Sequence, residues 1–268
     1  MALPDLEPEW PRPRRSRWSR PRAIPLDNLE VFAQGEDEAD PIKPQLRDHP
    51  LGQKPRPESL WPSVLLLFLC LLASLWTWSP GHDWDLTATQ DLVFHQGQYW
   101  RLLTTMLVHA DIAHLLANSG LFLIFGLFLR NYFGNWAFPV LSGLGGIATG
   151  ALALLTYQPE MRLIGASGMV YFMVALWLVL FLRYADYLSW VHRWMRAIAF
   201  TLVVLVPTQF EPQVSYRTHA IGFALGIFFG WLSSPWMKPP VVDDSSRGDE
   251  EEEEYRIDHP YSEEQLLP

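Results

Sequence analysis

Between residues 61 and 236 the chain runs through a series of apolar stretches, several of them long enough to cross a bilayer. A hydrocarbon core of roughly 30 Å needs about 20 residues of helix. Spans are expected over 61–79, 113–132, 136–157, 167–183, 194–208 and 219–234. The expected fold class is therefore all-α, a six-helix membrane bundle. The polar ends hide this pattern from any average over the 268 residues.

Those ends divide the chain into a cytoplasmic arm over 1–60, a helical body over 61–236 and an acidic tail over 237–268. The arm, rich in Pro, Arg and acids, reads as disordered and carries no apolar core of a signal peptide. Its cluster Arg12, Arg14, Arg15, Arg17, Arg20 and Arg22 reads as a flank that keeps the terminus inside, or as a contact with anionic lipid. The tail contains Asp249 followed by Glu250 to Glu254, a solvated charge run that accounts for much of the net charge of -9. No basic stripe with interleaved aromatics argues for nucleic acid. Cys70 is the single cysteine, so no intramolecular disulfide forms, and it reads as a small packing residue.

The segment 80–111 is too polar to span. It mixes Asp83, Asp85, Asp91, His95 and Gln98 with Val93, Phe94, Tyr99 and Trp100, which predicts an interfacial excursion with short amphipathic helices. Basic residues set the orientation. Arg130, Arg183, Arg193, Arg196 and Lys238 fall on one side and Arg101, Arg162 and Arg217 on the other. With the Arg-rich arm, this bias puts both termini inside. His114, Ser167 and His219 then open the three spans that run inward. Each lies roughly 24–26 Å of helix from the inner boundary, so the three share one level just below the outer surface.

Ser167 sits in Gly165-Ala166-Ser167-Gly168, where flanking glycines weaken the helix and admit a neighbouring backbone. A serine at a helix start is commonly a cap. A serine with a base nearby is a nucleophile, and histidine is the usual base. Ser167 and His219 form such a pair if their spans touch. Gly222, Gly226 and Gly230 make a smooth stripe that permits close approach, although such stripes also serve generic packing. His114 and Asn118, four residues apart, share a helix face. Together with the Ser167 N–H they are candidate donors to an oxyanion. Tyr171, one turn after Ser167, either stacks on His219 or simply packs. His109 and His114 invite a metal, but a five-residue spacing on a helix separates them and no Cys or carboxylate completes a site. No metal is expected.

These residues reach a known pattern. The chain resembles the rhomboid intramembrane serine proteases over the whole helical body. The resemblance rests on four motifs: Trp100-Arg101, then His109-Ala110-Asp111-Ile112-Ala113-His114 continuing to Asn118, then Gly165-Ala166-Ser167-Gly168 with Tyr171, then His219-Ala220-Ile221-Gly222 with Gly226. It implies a Ser167–His219 dyad, oxyanion donors at His114 and Asn118, a structural Trp100-Arg101, and Tyr171 packed on the dyad histidine. Gly165, Gly168 and Gly222 would support the dyad. It implies a substrate gate formed by 210–217 with the fifth span, and substrates that are single-span membrane proteins cut near the outer surface. Thr218, before His219, is unfamiliar in that pattern. The competing readings are a catalytically inactive relative that binds membrane proteins and, more remotely, a small transporter. The expected location is a bacterial plasma membrane.

Overall fold

The protein is described by a computed structural model covering residues 49–83, 85–205 and 215–240. Residues 1–48 of the expected arm, residues 206–214 with most of the expected gate loop (210–217), Trp84 and residues 241–268 of the expected tail lie outside the described residues.

Helix α1 (Trp61–Thr77) is built inside out. Its buried side chains are Ser63, Cys70, Ser74 and Thr77, which recur on one face. Its large apolar side chains, Leu65, Phe68, Leu72 and Leu75, point outward. In water this arrangement would be costly; in lipid it is the stable one. Two of the inward hydroxyls are bonded, whereas Ser63 Oγ is buried with no hydrogen-bond partner among the described residues. Ser74 Oγ donates to the Leu107 carbonyl at 3.4 Å and accepts from the His109 N–H at 3.0 Å, and Thr77 bonds back to its own helix.

The polar excursion folds as a small packed unit. A π-helical turn, Asp91–His95, leads to α2 (Arg101–Leu107). Ala88 and Leu163 form an isolated antiparallel bridge. Ala88, Val93, Leu102, Leu154 and Leu163 make a second core beneath it. Arg101 ties the unit together, donating to the carbonyls of Asp85 at 2.6 Å and Thr87 at 2.8 Å.

Helix α3 (Ile112–Asn135) starts on Asp111, whose carboxylate caps the His114 N–H at 2.7 Å. Helical geometry breaks at Gly134 (φ 76°) and at the extended Phe138, and α4 (Ser142–Thr156) follows. Then come α5 (Ser167–Tyr184), α6 (Trp190–Leu205) and α7 (Tyr216–Ser233). Among the described residues, three helical stretches are long and apolar enough to cross a membrane: Pro57–Thr77 with 21 residues, Ile112–Thr156 with 45, and Ser167–Tyr184 with 18. The longest doubles back at the break. His114, near its start, lies against Gly165. The Thr156 carbonyl, at its finish, takes a hydrogen bond from Arg217. Both ends thus reach the same side of the bundle.

Helix α5 is central and touches α3, α4, α6 and α7. Its Phe172, Met173, Leu176 and Leu180 are fully enclosed, in one core with Phe122, Leu129 and Phe138. The tightest seam is between α5 and α7, and glycine makes it possible. A Cβ on Gly222 would overlap the Gly168 carbonyl oxygen, and one on Gly226 would overlap the Phe172 carbonyl oxygen. The seam is backbone against backbone.

The end of the bundle opposite Ser167 carries a ring of outward tryptophans. Trp61, Trp136, Trp190 and Trp236 are each 70% or more exposed. They belong to one end because Ser59 meets Asn131, Phe133 meets Tyr184, and Tyr184 bonds the Ser234 carbonyl. Tryptophan at one level is the mark of a membrane–water boundary.

Several boundaries differ from the sequence expectation: the helix expected from 194 begins at Trp190, and the span expected from 136 is regular α-helix only from Ser142. Residues 49–60, assigned there to the disordered arm, are ordered against this same end: Tyr132 Oη donates to the Gln53 carbonyl at 2.6 Å, the Arg56 N–H donates to Asn131 at 2.9 Å, and His49 meets Asp186 at 2.8 Å. Met237, assigned to the tail, packs into the main core. The last helix begins at Tyr216, so His219 sits within its first turn instead of opening it.

Candidate active site

Three helices bring polar side chains to one end of the bundle. Ser167 is the first residue of α5. The capping position is Ala166, with no side-chain cap, so Ser167 does not serve as the helix cap. Gly165 precedes it at φ 103°, a left-handed conformation that favours glycine. That turn is strapped from below: the Gly165 N–H donates to the Thr105 carbonyl at 2.9 Å, and Thr105 Oγ1 donates to the Leu163 carbonyl.

His114 stands in the first turn of α3. A Cβ on Gly165 would come within 2.9 Å of its Cε1 and 3.1 Å of its Nε2, so the imidazole lies directly against the turn that presents Ser167. Asn118, a turn further on, is buried at 8% exposure. One of its amide hydrogens goes to the His114 carbonyl at 3.0 Å, and the amide has a second hydrogen to give.

His219 enters from α7. Its ring stacks on Tyr171 of α5, with centroids 4.1 Å apart and planes 10° from parallel. Tyr216 meets it edge-on at 6.2 Å. Beneath, the Gly168 carbonyl touches Gly222, three residues after His219. Ser167 and His219 are thus each one turn or less from the point where the two backbones meet. Ser167, His114 and His219 are half-buried. Among the described residues no hydrogen bond joins the Ser167 hydroxyl to the His219 imidazole. Such bonds often tighten only when substrate is bound.

His109 is the residue whose place the sequence did not reveal. It is not on a helix, and its ring lies 5.2 Å from that of His114, edge to face. The expected separation of the two histidines is therefore corrected: the extended backbone before Asp111 turns His109 back toward α3. His109 is 1% exposed, and its Nε2 accepts the Ala166 N–H at 3.4 Å. Burial, and then the neighbouring His114, push its pKa down to about 4 in spite of the nearby Leu107 carbonyl and Asp111. It is thus a neutral ring that holds the segment ahead of Ser167. The motif that begins at His109 marks the residue in the sequence but not this role.

The Rhomboid domain family matches residues 96–236, more than half of the chain and every residue described in this site. The chain belongs to the rhomboid family. The putative rhomboid protease YdcA of Bacillus subtilis is 27% identical over 175 residues, covering 63% of this chain and 87% of that protein. RHOMBOID-like protein 5 of Arabidopsis thaliana is 29% identical over 151 residues, covering 55% and 48% respectively. Rhomboid-related protein 1 of Caenorhabditis elegans is 26% identical over 151 residues, covering 51% and 40%. This rhomboid thus spans most of the bacterial relative but less than half the length of the plant and nematode ones. It is an integral membrane protein with apolar membrane-crossing helices.

Proposed function

We propose that this rhomboid is an intramembrane serine endopeptidase that cuts single-span membrane proteins near the outer membrane surface. Ser167 is the nucleophile and His219 the general base. His219 takes the hydroxyl proton as Ser167 attacks the scissile carbonyl. The oxyanion is held by the Ser167 N–H, His114 and Asn118. The imidazolium then gives its proton to the leaving amine, and water hydrolyses the acyl-enzyme by the same steps in reverse order of roles. No cofactor takes part.

The observation that carries this reading is the contact of Gly168 with Gly222, flanked by Ser167 on one strand of the seam and by His219, stacked on Tyr171, on the other. The proposed topology is six spans with both termini cytoplasmic, in a bacterial plasma membrane. The tryptophan ring and the arginines near it support an inner boundary at the end opposite Ser167.

The test uses the full chain in detergent or vesicles with a single-span test protein. Wild type is expected to cleave it, and Ser167→Ala and His219→Ala are each expected to abolish cleavage. Equal turnover by Ser167→Ala overturns the assignment. A wild type that binds the test protein without cutting it favours the inactive-relative reading.

A further inference from the structure

A cluster of hydroxyls beside His219 has no part in the dyad. Ser215 caps α7: its Oγ accepts the Thr218 N–H at 3.3 Å, and its carbonyl accepts the His219 N–H at 3.1 Å. The same Oγ lies 2.5 Å from Thr218 Oγ1. Tyr157, just past the end of α4, closes the group, with its Oη on Ser215 Oγ and 3.2 Å from Thr218 Oγ1. Arg217 reinforces the joint from outside. It donates to the Thr156 carbonyl at the end of α4, and its guanidinium lies 5.1 Å from the centre of the Tyr157 ring.

Thr218 faces two ways. Its hydroxyl enters this cluster. Its methyl closes on Gly168, where an added Cβ would meet Thr218 Cγ2 at 2.9 Å and Thr149 Cγ2 at 2.9 Å. Thr218 is 4% exposed. It therefore touches the residue after Ser167 and immediately precedes His219, while its hydroxyl is fastened to a third helix.

We propose that Thr218 is a positioning residue for His219, and that the Tyr157–Ser215–Thr218 hydroxyl cluster is a latch fixing the first turn of α7 to α4. This rests on the peptidase reading above. The latch sets the rotation of α7 where the general base leaves it. A base displaced by about 1 Å costs on the order of 100-fold in rate.

The branched side chain makes the test separable. Thr218→Val keeps the methyl and loses the hydroxyl. Thr218→Ser does the reverse. Tyr157→Phe removes the partner hydroxyl. Each variant is assayed for kcat and KM on the single-span test protein, for the rate at which a fluorophosphonate labels Ser167, and for thermal unfolding in the same detergent. Assays run well below the lowest unfolding temperature. Thr218→Val and Tyr157→Phe are expected to lower kcat and labelling on the order of 10- to 100-fold with KM little changed. The double variant should lose little more, because the two act as one unit. Thr218→Ser should keep most of the activity. Wild-type rates in Thr218→Val, multiplying losses in the double variant, or equal losses in Thr218→Ser each overturn the latch while leaving the dyad intact. A wild type that neither cleaves nor labels overturns the peptidase reading and the latch with it.

Discussion

Asn118 shows how much one side chain can be asked to do. Its carboxamide already holds the His114 carbonyl, so only its remaining hydrogen is free for an oxyanion. Asn118→Ala is expected to lower kcat by roughly 10- to 1,000-fold: one lost donor usually costs about 100- to 1,000-fold, and the partner donors mask part of it. Unfolding temperature measured alongside separates this from a loss of folding. At this scale the sequence was informative where a side chain announces its chemistry. Ser167, His219 and His114 stood out as residue types near helix starts, and Asn118 as a residue one turn on from His114. His109, Tyr157, Ser215 and Thr218 were not, because their roles come from a bent backbone and from neighbours more than fifty positions away.

The seam between α5 and α7 is the element that decides whether the residues meet. Its glycines were readable from their four-residue repeat. Their partners were not, since periodicity marks a face and not what lies against it. Gly222→Ala would drive a Cβ into the Gly168 carbonyl. It is expected to cost about 1–3 kcal/mol, the typical penalty of overpacking, and to lower activity with it. Gly120 on α3 has open space around it. Gly120→Ala is expected to be neutral or to stabilise by roughly 0.5–1 kcal/mol, as alanine favours the helix. Thermal or denaturant unfolding of the two variants checks both. The polar excursion was read correctly as short helices, but not as a packed unit. Its bridge between Ala88 and Leu163 joins residues too distant for any local pattern to show.

The whole molecule responds to pH through groups such as His109. Its folded pKa of about 4 lies below the ordinary 6.5. Between those values the unfolded chain binds more protons than the folded one, so stability falls as pH drops from about 6.5 to about 4 and levels off below. Unfolding followed across that window should show this slope, and His109→Asn should flatten it. Apolar length made the membrane-crossing body legible. The ordered residues 49–60 were not, because that stretch of prolines and charges lacks the periodicity of an element, yet its backbone is held by Tyr132 and Asn131. On the proposed peptidase reading, the exposed tryptophans opposite Ser167 bear on where a substrate is cut. A protein anchored at that end holds the serine about 27 Å away, along the 18 residues of α5. Longer acyl chains raise the far headgroups while the serine stays at its height. Mass spectrometry of products made in thin and thick vesicles should therefore find scission points displaced along the substrate, about one residue per 1.5 Å of added thickness if the segment is helical as it docks.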